Sequence, residues 1–241
     1  MIQQNRITLF DLSGVDDELR ISPFCWRIKM ALAHKRLDYE AVPWRLVEKE
    51  RIAASNLSTA PVIVDGGVVV GDSWRIAEYL DSAYPSRPLF VSEQAKAYCR
   101  WIHFWTERIL HPLIVPLILE DVLKAIHPAD FEYFRRTRER AYGRPLADVC
   151  DRSAVAYEKL FAATSFVRSL LRETKFVSGE SPSYGDYVLF GAYQWARCCS
   201  EVRIFRDDKD PTTIWFTRML GLYDDLGSRA VRLTMLPTRA P

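Results

Sequence analysis

The stretch APVIVDGGVVVGDSWRIAEYL, residues 60–80, decides the fold. Val62-Ile63-Val64 and Val68-Val69-Val70 are β-branched runs joined by Asp65-Gly66-Gly67, the pattern of a β-hairpin. Asp72-Ser73 then opens a helix whose apolar face carries Ile76, Ala77 and Leu80. Working backwards, Arg6–Leu12 (RITLFDL) reads as a strand, followed by a polar loop from Gly14 to Arg20. Ser22 and Pro23 suit an N-cap and a first helical position, for a helix reaching about His34. Asp38–Val42 reads as a second strand, and residues 44–60 as a short helix and a loop. The order is βαβ followed by ββα.

Working forwards, Pro85 and Pro88 mark a linker, and everything after Ser92 reads as helix. The expected helices are Ser92–Thr106 with a bend at Pro112 and Pro116, Ala129–Tyr142, Ala147–Leu171, Tyr184–Glu201 and Thr212–Leu226. The sequence therefore predicts an α/β domain over residues 1–86 and an all-α domain over residues 92–241.

A chain of 241 residues, 49% hydrophobic and 27% charged, can bury its core without metal or disulfide staples. Its 33 basic and 31 acidic residues leave a net charge of +2, which argues against a nucleic-acid binder. The five cysteines (Cys25, Cys99, Cys150, Cys198, Cys199) are odd in number and lack zinc-type spacing, so reduced thiols in a cytosolic protein are expected. The four histidines have no metal-binding spacing, and no metal is expected. The start, MIQQNRITLF, lacks an apolar run behind a basic end, so no signal peptide is expected. The most apolar stretch, Ile109–Leu119, is too short to span a bilayer.

Four places bear on chemistry. Ser22, at a helix start, reads either as a plain N-cap or as a hydroxyl donor beside a helix N-terminus that favours an anion such as a thiolate. Cys25 reads as a small buried residue or as a nucleophile; the motif Ser22-Pro23-Phe24-Cys25 holds no second cysteine for a dithiol cycle. Pro61 precedes a strand and suits a cis bond, with an open backbone edge at Val62 for a peptide-like ligand. Asp72 and Ser73 form a helix start able to hold a carboxylate, or a plain cap.

In this order, these segments resemble the glutathione S-transferase family. The resemblance implies a thioredoxin-like N-terminal domain and a helical C-terminal domain. It implies that Ser22 stabilises the glutathione thiolate, that Pro61 is the cis-proline and that the Val62 backbone pairs with the cysteinyl part. Asp72 and Ser73 would grip the γ-glutamyl end. The segment Gly179–Tyr187 looks like the family's N-capping box, with Ser183 and Asp186 satisfying each other's backbone donors, a folding role.

Within the family, ITLFDL, ISPFCWRIKMALAHK, DSWRIAEYLDSAYPSRP and RETKFVSGESPSYGDY are most similar to bacterial glutathione-dependent β-aryl etherases. That likeness implies a serine-type transferase acting on a hydrophobic, aromatic electrophile, as a homodimer. Phe24, Trp105, Arg108 and Pro112 are the expected acceptor-pocket residues, with Arg108 as a cation for a leaving phenolate. Two other readings stand beside it: a non-catalytic glutathione-binding or interaction protein on the same scaffold, and a Cys25-dependent thiol transferase.

Overall fold

The computed structural model describes residues 6–237. Strands β1 (Ile7–Leu12), β2 (Tyr39–Trp44), β3 (Val62–Asp65) and β4 (Val68–Gly71) form one mixed sheet in the order β2-β1-β3-β4. β1 runs parallel to β2, with Leu9 opposite Ala41, and antiparallel to β3, with Phe10 opposite Val62. A parallel pair needs a crossover, and helix α1 (Pro23–His34) supplies it. β3 and β4 form the hairpin expected from the two valine-rich runs, with Gly66 and Gly67 both at positive φ in the turn. β2 continues two residues beyond the expected Val42, through Pro43 to Trp44. It is an edge strand, so a missing N–H on its open side is tolerated. Residues Lys49–Ser55 form a short 3-10 helix, and α2 (Ser73–Ala83) closes the α/β domain.

The rest is helical: α3 (Glu93–Trp105), α4 (His111–Ala125), α5 (Pro128–Tyr142), α6 (Ala154–Ala163), α7 (Ser165–Glu173), α8 (Tyr184–Cys199) and α9 (Pro211–Leu220). The bend expected at Pro112 and Pro116 instead begins earlier, in a single π turn at Thr106–Leu110 that links α3 to α4. The single helix expected over Ala147–Leu171 is broken. The Asp151 carboxylate accepts from the Ser153 N–H, Ser153 caps α6, and Thr164 leaves helical geometry at φ −93°, ψ 7°. The helix expected over Thr212–Leu226 stops at Leu220, because Tyr223, Asp224 and Asp225 are left-handed. The expected helix at Tyr184–Glu201 ends at Cys199.

Almost every residue of α8 is buried, and it packs along α1. Gly191 makes that contact possible: a Cβ there would lie 2.3 Å from the Pro23 carbonyl oxygen. Helix α8 thus presses on the start of α1, where Ser22 stands. One continuous apolar core, from Ile7 and Leu9 through Trp26 to Phe190 and Trp215, runs through both domains. The capping box forms as expected, and the buried Asp186 carboxylate also accepts from the Val177 N–H (2.9 Å) and the Trp215 indole N–H (2.9 Å). Burial pushes the Asp186 carboxyl up, against these hydrogen bonds.

Candidate functional site

A cavity of about 530 Å³ lies between the ends of β1 and β2, the loop before β3, the start of α1 and the helical domain, within the range of small-molecule sites. Ser22, Phe24, Ala60, Pro61, Asp72 and Ser73 line one side of it. The structure therefore brings together three of the places picked from the sequence, 22, 61 and 72–73, which lie far apart along the chain.

Ser22 is the α1 N-cap, in extended geometry, and only 4% exposed. Its oxygen accepts from the Cys25 N–H at 3.2 Å. A hydroxyl has one donor and two acceptor positions, so the cap bond uses only an acceptor position and leaves the Ser22 O–H as a donor, with the Cys25 thiol also in its reach. The helix terminus adds partial positive charge at the same point.

The Ala60–Pro61 peptide bond is cis. Val62 departs from expectation. β3 is an interior strand, and Val62 is registered against Phe10 on one side and Gly71 on the other. It has no open edge and does not line the cavity; the residues that do are Thr59, Ala60 and Pro61. The sequence shows a hairpin, but which of its strands is internal depends on pairing with distant β1.

Asp72 caps α2, one carboxylate oxygen accepting from the N–H groups of Trp74 and Arg75, both at 3.0 Å. It adopts φ 72°, a strained conformation for a residue with a side chain. The strain places its carboxylate and Ser73 together on the cavity wall. Ser73 is 2% exposed, and its hydroxyl is buried without a hydrogen-bond partner. An orphaned hydroxyl costs about 1–3 kcal/mol, so a ligand that satisfies it is favoured.

The helical wall differs from the expected one. Trp105, Arg108 and Pro112 do not line the cavity. Trp105 stacks on Trp101 (6.5 Å, 11°) and meets Phe166 of α7 edge-on at 4.9 Å. Arg108 is exposed, its guanidinium over the Phe104 ring, and Pro112 is exposed. The π turn is the physical reason. It widens the spiral, so residues spaced by four, His103, Glu107 and His111, all reach the cavity. That spacing was visible in the sequence, but a straight α-helix does not keep residues eight apart on one line.

Two of these residues, His103 and Glu107, form a network with Arg27, which is fully buried. Arg27 donates to Glu107 Oε1 at 2.9 Å and to His103 Nδ1 at 3.2 Å. Because Nδ1 accepts, the His103 proton sits on Nε2, 3.1 Å from the same Glu107 oxygen. Burial and then the Arg27 charge lower the His103 pKa to about 4, with Glu107 opposing. Burial, Arg27 and His103 together lower His111 to about 3. Both imidazoles are neutral at physiological pH. Phe24, as expected, does line the cavity and meets His111 edge-on at 5.6 Å. The cavity wall also includes the apolar side chains of Trp44, Leu46, Val115, Leu119 and Phe134, with Arg138 and Tyr142.

Cys25 is fully buried and does not line the cavity. Burial, and next the nearby Asp11 charge, push its thiol well up. A thiol held neutral and away from the cavity argues against the Cys25-dependent reading. All five cysteines are free thiols. Among the described residues there is no cluster of metal-ligating side chains, and no helix is long and apolar enough to cross a membrane.

Comparison with known proteins points to one family. The model for "Glutathione S-transferase, N-terminal domain" matches residues 18–88 and that for "Glutathione S-transferase, C-terminal domain" matches residues 97–205. Among curated proteins, the chain is 41% identical over 75 residues to glutathione S-transferase Z1 of Arabidopsis thaliana, covering 29% of this chain and 34% of that one. It is 30% identical over 105 residues to the maleylacetoacetate isomerase of Rattus norvegicus, covering 40% and 49%. The chain thus spans between a third and half of the length of these relatives. Among solved structures, glutathione transferase GSTFuA3 of Phanerochaete chrysosporium superposes with a TM-score of 0.80 at 21% identity, covering 92% and 98% of the two chains. A glutathione S-transferase of Ceriporiopsis subvermispora, in complex with glutathione, gives 0.78 at 24%, covering 91% and 97%. At these identities the likeness is one of fold.

Proposed function

Because the chain belongs to the glutathione S-transferase family, we propose that it is a glutathione transferase in which Ser22 holds the glutathione sulfur as a thiolate. The observation that carries this is the meeting of the Ser22 and Ser73 hydroxyls, the latter without a partner, on the wall of one cavity, beside the cis Ala60–Pro61 bond. The Ser22 O–H donates to the sulfur, and the α1 terminus favours its charge. Ser73 at the α2 terminus takes the γ-glutamyl carboxylate, and the free carboxylate oxygen of Asp72 takes the ammonium. The main chain of Ala60 takes the part first expected of Val62, since Ala60 borders the cavity.

The apolar side chains of the cavity wall suit a hydrophobic, aromatic electrophile. An aryl ether with a ketone on the neighbouring carbon fits this class: a sulfur–carbon bond forms, the carbon–oxygen bond breaks and a phenolate leaves. The unpaired state of all five cysteines agrees with a reducing, cytosolic setting. A homodimer is part of the same proposal, tested by the mass of the particle in solution.

The test is a melting scan with millimolar glutathione, then turnover with a chlorodinitrobenzene, an isothiocyanate, a peroxide and a β-aryl ether ketone. A ligand at one hundred times its Kd adds about 2.7 kcal/mol to native stability, so a clear upward shift is expected. A shift without turnover on any acceptor supports the non-catalytic binder instead; no shift refutes glutathione as ligand.

A further inference from the structure

We infer that the groove between the end of α8, α9 and the segment Arg232–Thr234 is a second binding site, built for a phosphate monoester dianion carried on a flat aromatic group. The groove encloses about 360 Å³ and shares no lining residue with the cavity that holds Ser22, so the two sites stand or fall separately.

Two guanidinium groups without a counter-charge mark the groove. Arg197, on α8, and Arg232, on the C-terminal segment, both line it. Arg197 donates to the carbonyl oxygens of Gly227 (3.2 Å) and Ser228 (3.3 Å), which are neutral acceptors. Arg232 makes no hydrogen bond or ion pair among the described residues, and its Nε is buried without a partner. The two cations lie close enough to act on each other: burial first, and beside it the Arg232 charge, lower the Arg197 pKa. Like charges held in a partly buried place are costly unless an anion compensates them. The other charged residues of the groove do not. Arg203 is exposed and already paired with Asp208 Oδ1 at 2.9 Å. Glu201 is exposed and makes no ion pair with either arginine.

The number of uncompensated charges selects the ligand's head. Two cations balance a dianion, and a guanidinium presents its donors as a planar fork that matches phosphate oxygens. A carboxylate would leave one cation uncompensated. The rings of Tyr193, Phe205 and Phe216 select its body. They line the same groove, with Phe205 4.9 Å from Tyr193 and 5.1 Å from Phe216 between centroids. A flat aromatic group packs on such rings, whereas bare inorganic phosphate leaves them uncovered. The volume lies within the range of small-molecule sites.

The experiment is a calorimetric titration of the full chain at low ionic strength with phenyl phosphate, inorganic phosphate and benzoate. Phenyl phosphate should bind more tightly than either of the others, and equally well with millimolar glutathione present. A hydrogen bond to a charged group is lost in Arg232→Gln, so that variant should bind phenyl phosphate about 10- to 100-fold more weakly. Arg232→Lys keeps the charge but not the fork and should lose less affinity than Arg232→Gln; it also stands in for the Gln variant should that one not fold, any loss then being read against wild type. Arg203→Gln, which removes a cation already paired, should bind as wild type does. Binding no tighter than that of benzoate or inorganic phosphate overturns the inference. So does affinity that is unchanged in the Arg232 variants, or displacement of phenyl phosphate by glutathione, which would put it in the Ser22 cavity.

Discussion

Replacing Ser22 with Ala removes two bonds of different kinds, and their effects separate. The first is the cap. The Cys25 N–H loses the acceptor it has at 3.2 Å, which costs about 1 kcal/mol. For a chain of this length that lowers Tm by about 2–4 °C. The second is the donor to the thiolate. Hydrogen bonds to charged groups contribute about 1.5–3 kcal/mol, and at about 1.4 kcal/mol per pH unit their loss raises the bound thiol's pKa by about one to two units. The acid limb of the kcat/KM profile should move up by the same interval, with a loss of about 10- to 100-fold below it. The assay is that pH profile at subsaturating glutathione, run beside a melting scan. Ser22→Gly is the control for stability, since Gly at an N-cap costs only a few tenths of a kcal/mol and still lacks the hydroxyl. If the limb stays in place in both variants while only Ser22→Ala melts lower, Ser22 is a cap and nothing more, and the proposed mechanism fails.

Three further outcomes are expected. Cys25→Ala should keep turnover within about twofold and lose about 1 kcal/mol of stability, and native protein should resist alkylation at Cys25, which is fully buried; selective loss of turnover would return the thiol-transferase reading. Asp186→Ala leaves the N–H groups of Val177 and Ser183 and the Trp215 indole without their acceptor, so at least about 3 kcal/mol and about 6 °C in Tm should be lost; a smaller loss would mean that these donors find other partners. For pH, the unfolded chain protonates His111 near 6.5 and the folded chain only near 3, so stability is full above 6.5 and falls as pH drops through that window. Between pH 7 and 5 the loss is about 2 kcal/mol from this one group, with His103 and His34 acting in the same direction. Urea unfolding at both pH values should show it, and His111→Phe should flatten the slope; an unaltered slope would mean that His111 is not held neutral.

The sequence by itself determined the elements that rest on local chemistry. The valine runs around Gly66-Gly67 and the caps at Ser22, Asp72 and Ser183 each follow from a few adjacent residues and appear where they were read; the second half is helical as read, but with its breaks between Ala163 and Ser165 and after Leu220 elsewhere than expected. Three of the site's positions, 22, 61 and 72–73, were legible for the same reason, since a helix start or a proline before a strand carries its geometry with it. The tertiary structure decided the rest. That β3 is internal, and Val62 therefore has no open edge, depends on pairing with β1 more than fifty residues earlier. That His103, Glu107 and His111 face the cavity, while Trp105 and Arg108 turn away, depends on a π turn that no local propensity marks. That Arg27, at a position indistinguishable by pattern from any other helical arginine, is fully buried beside Glu107 depends on how α3 meets α1. Local signals reach a few residues; which side chains share a wall is set by packing between segments distant in the chain, where burial and partner charges act together.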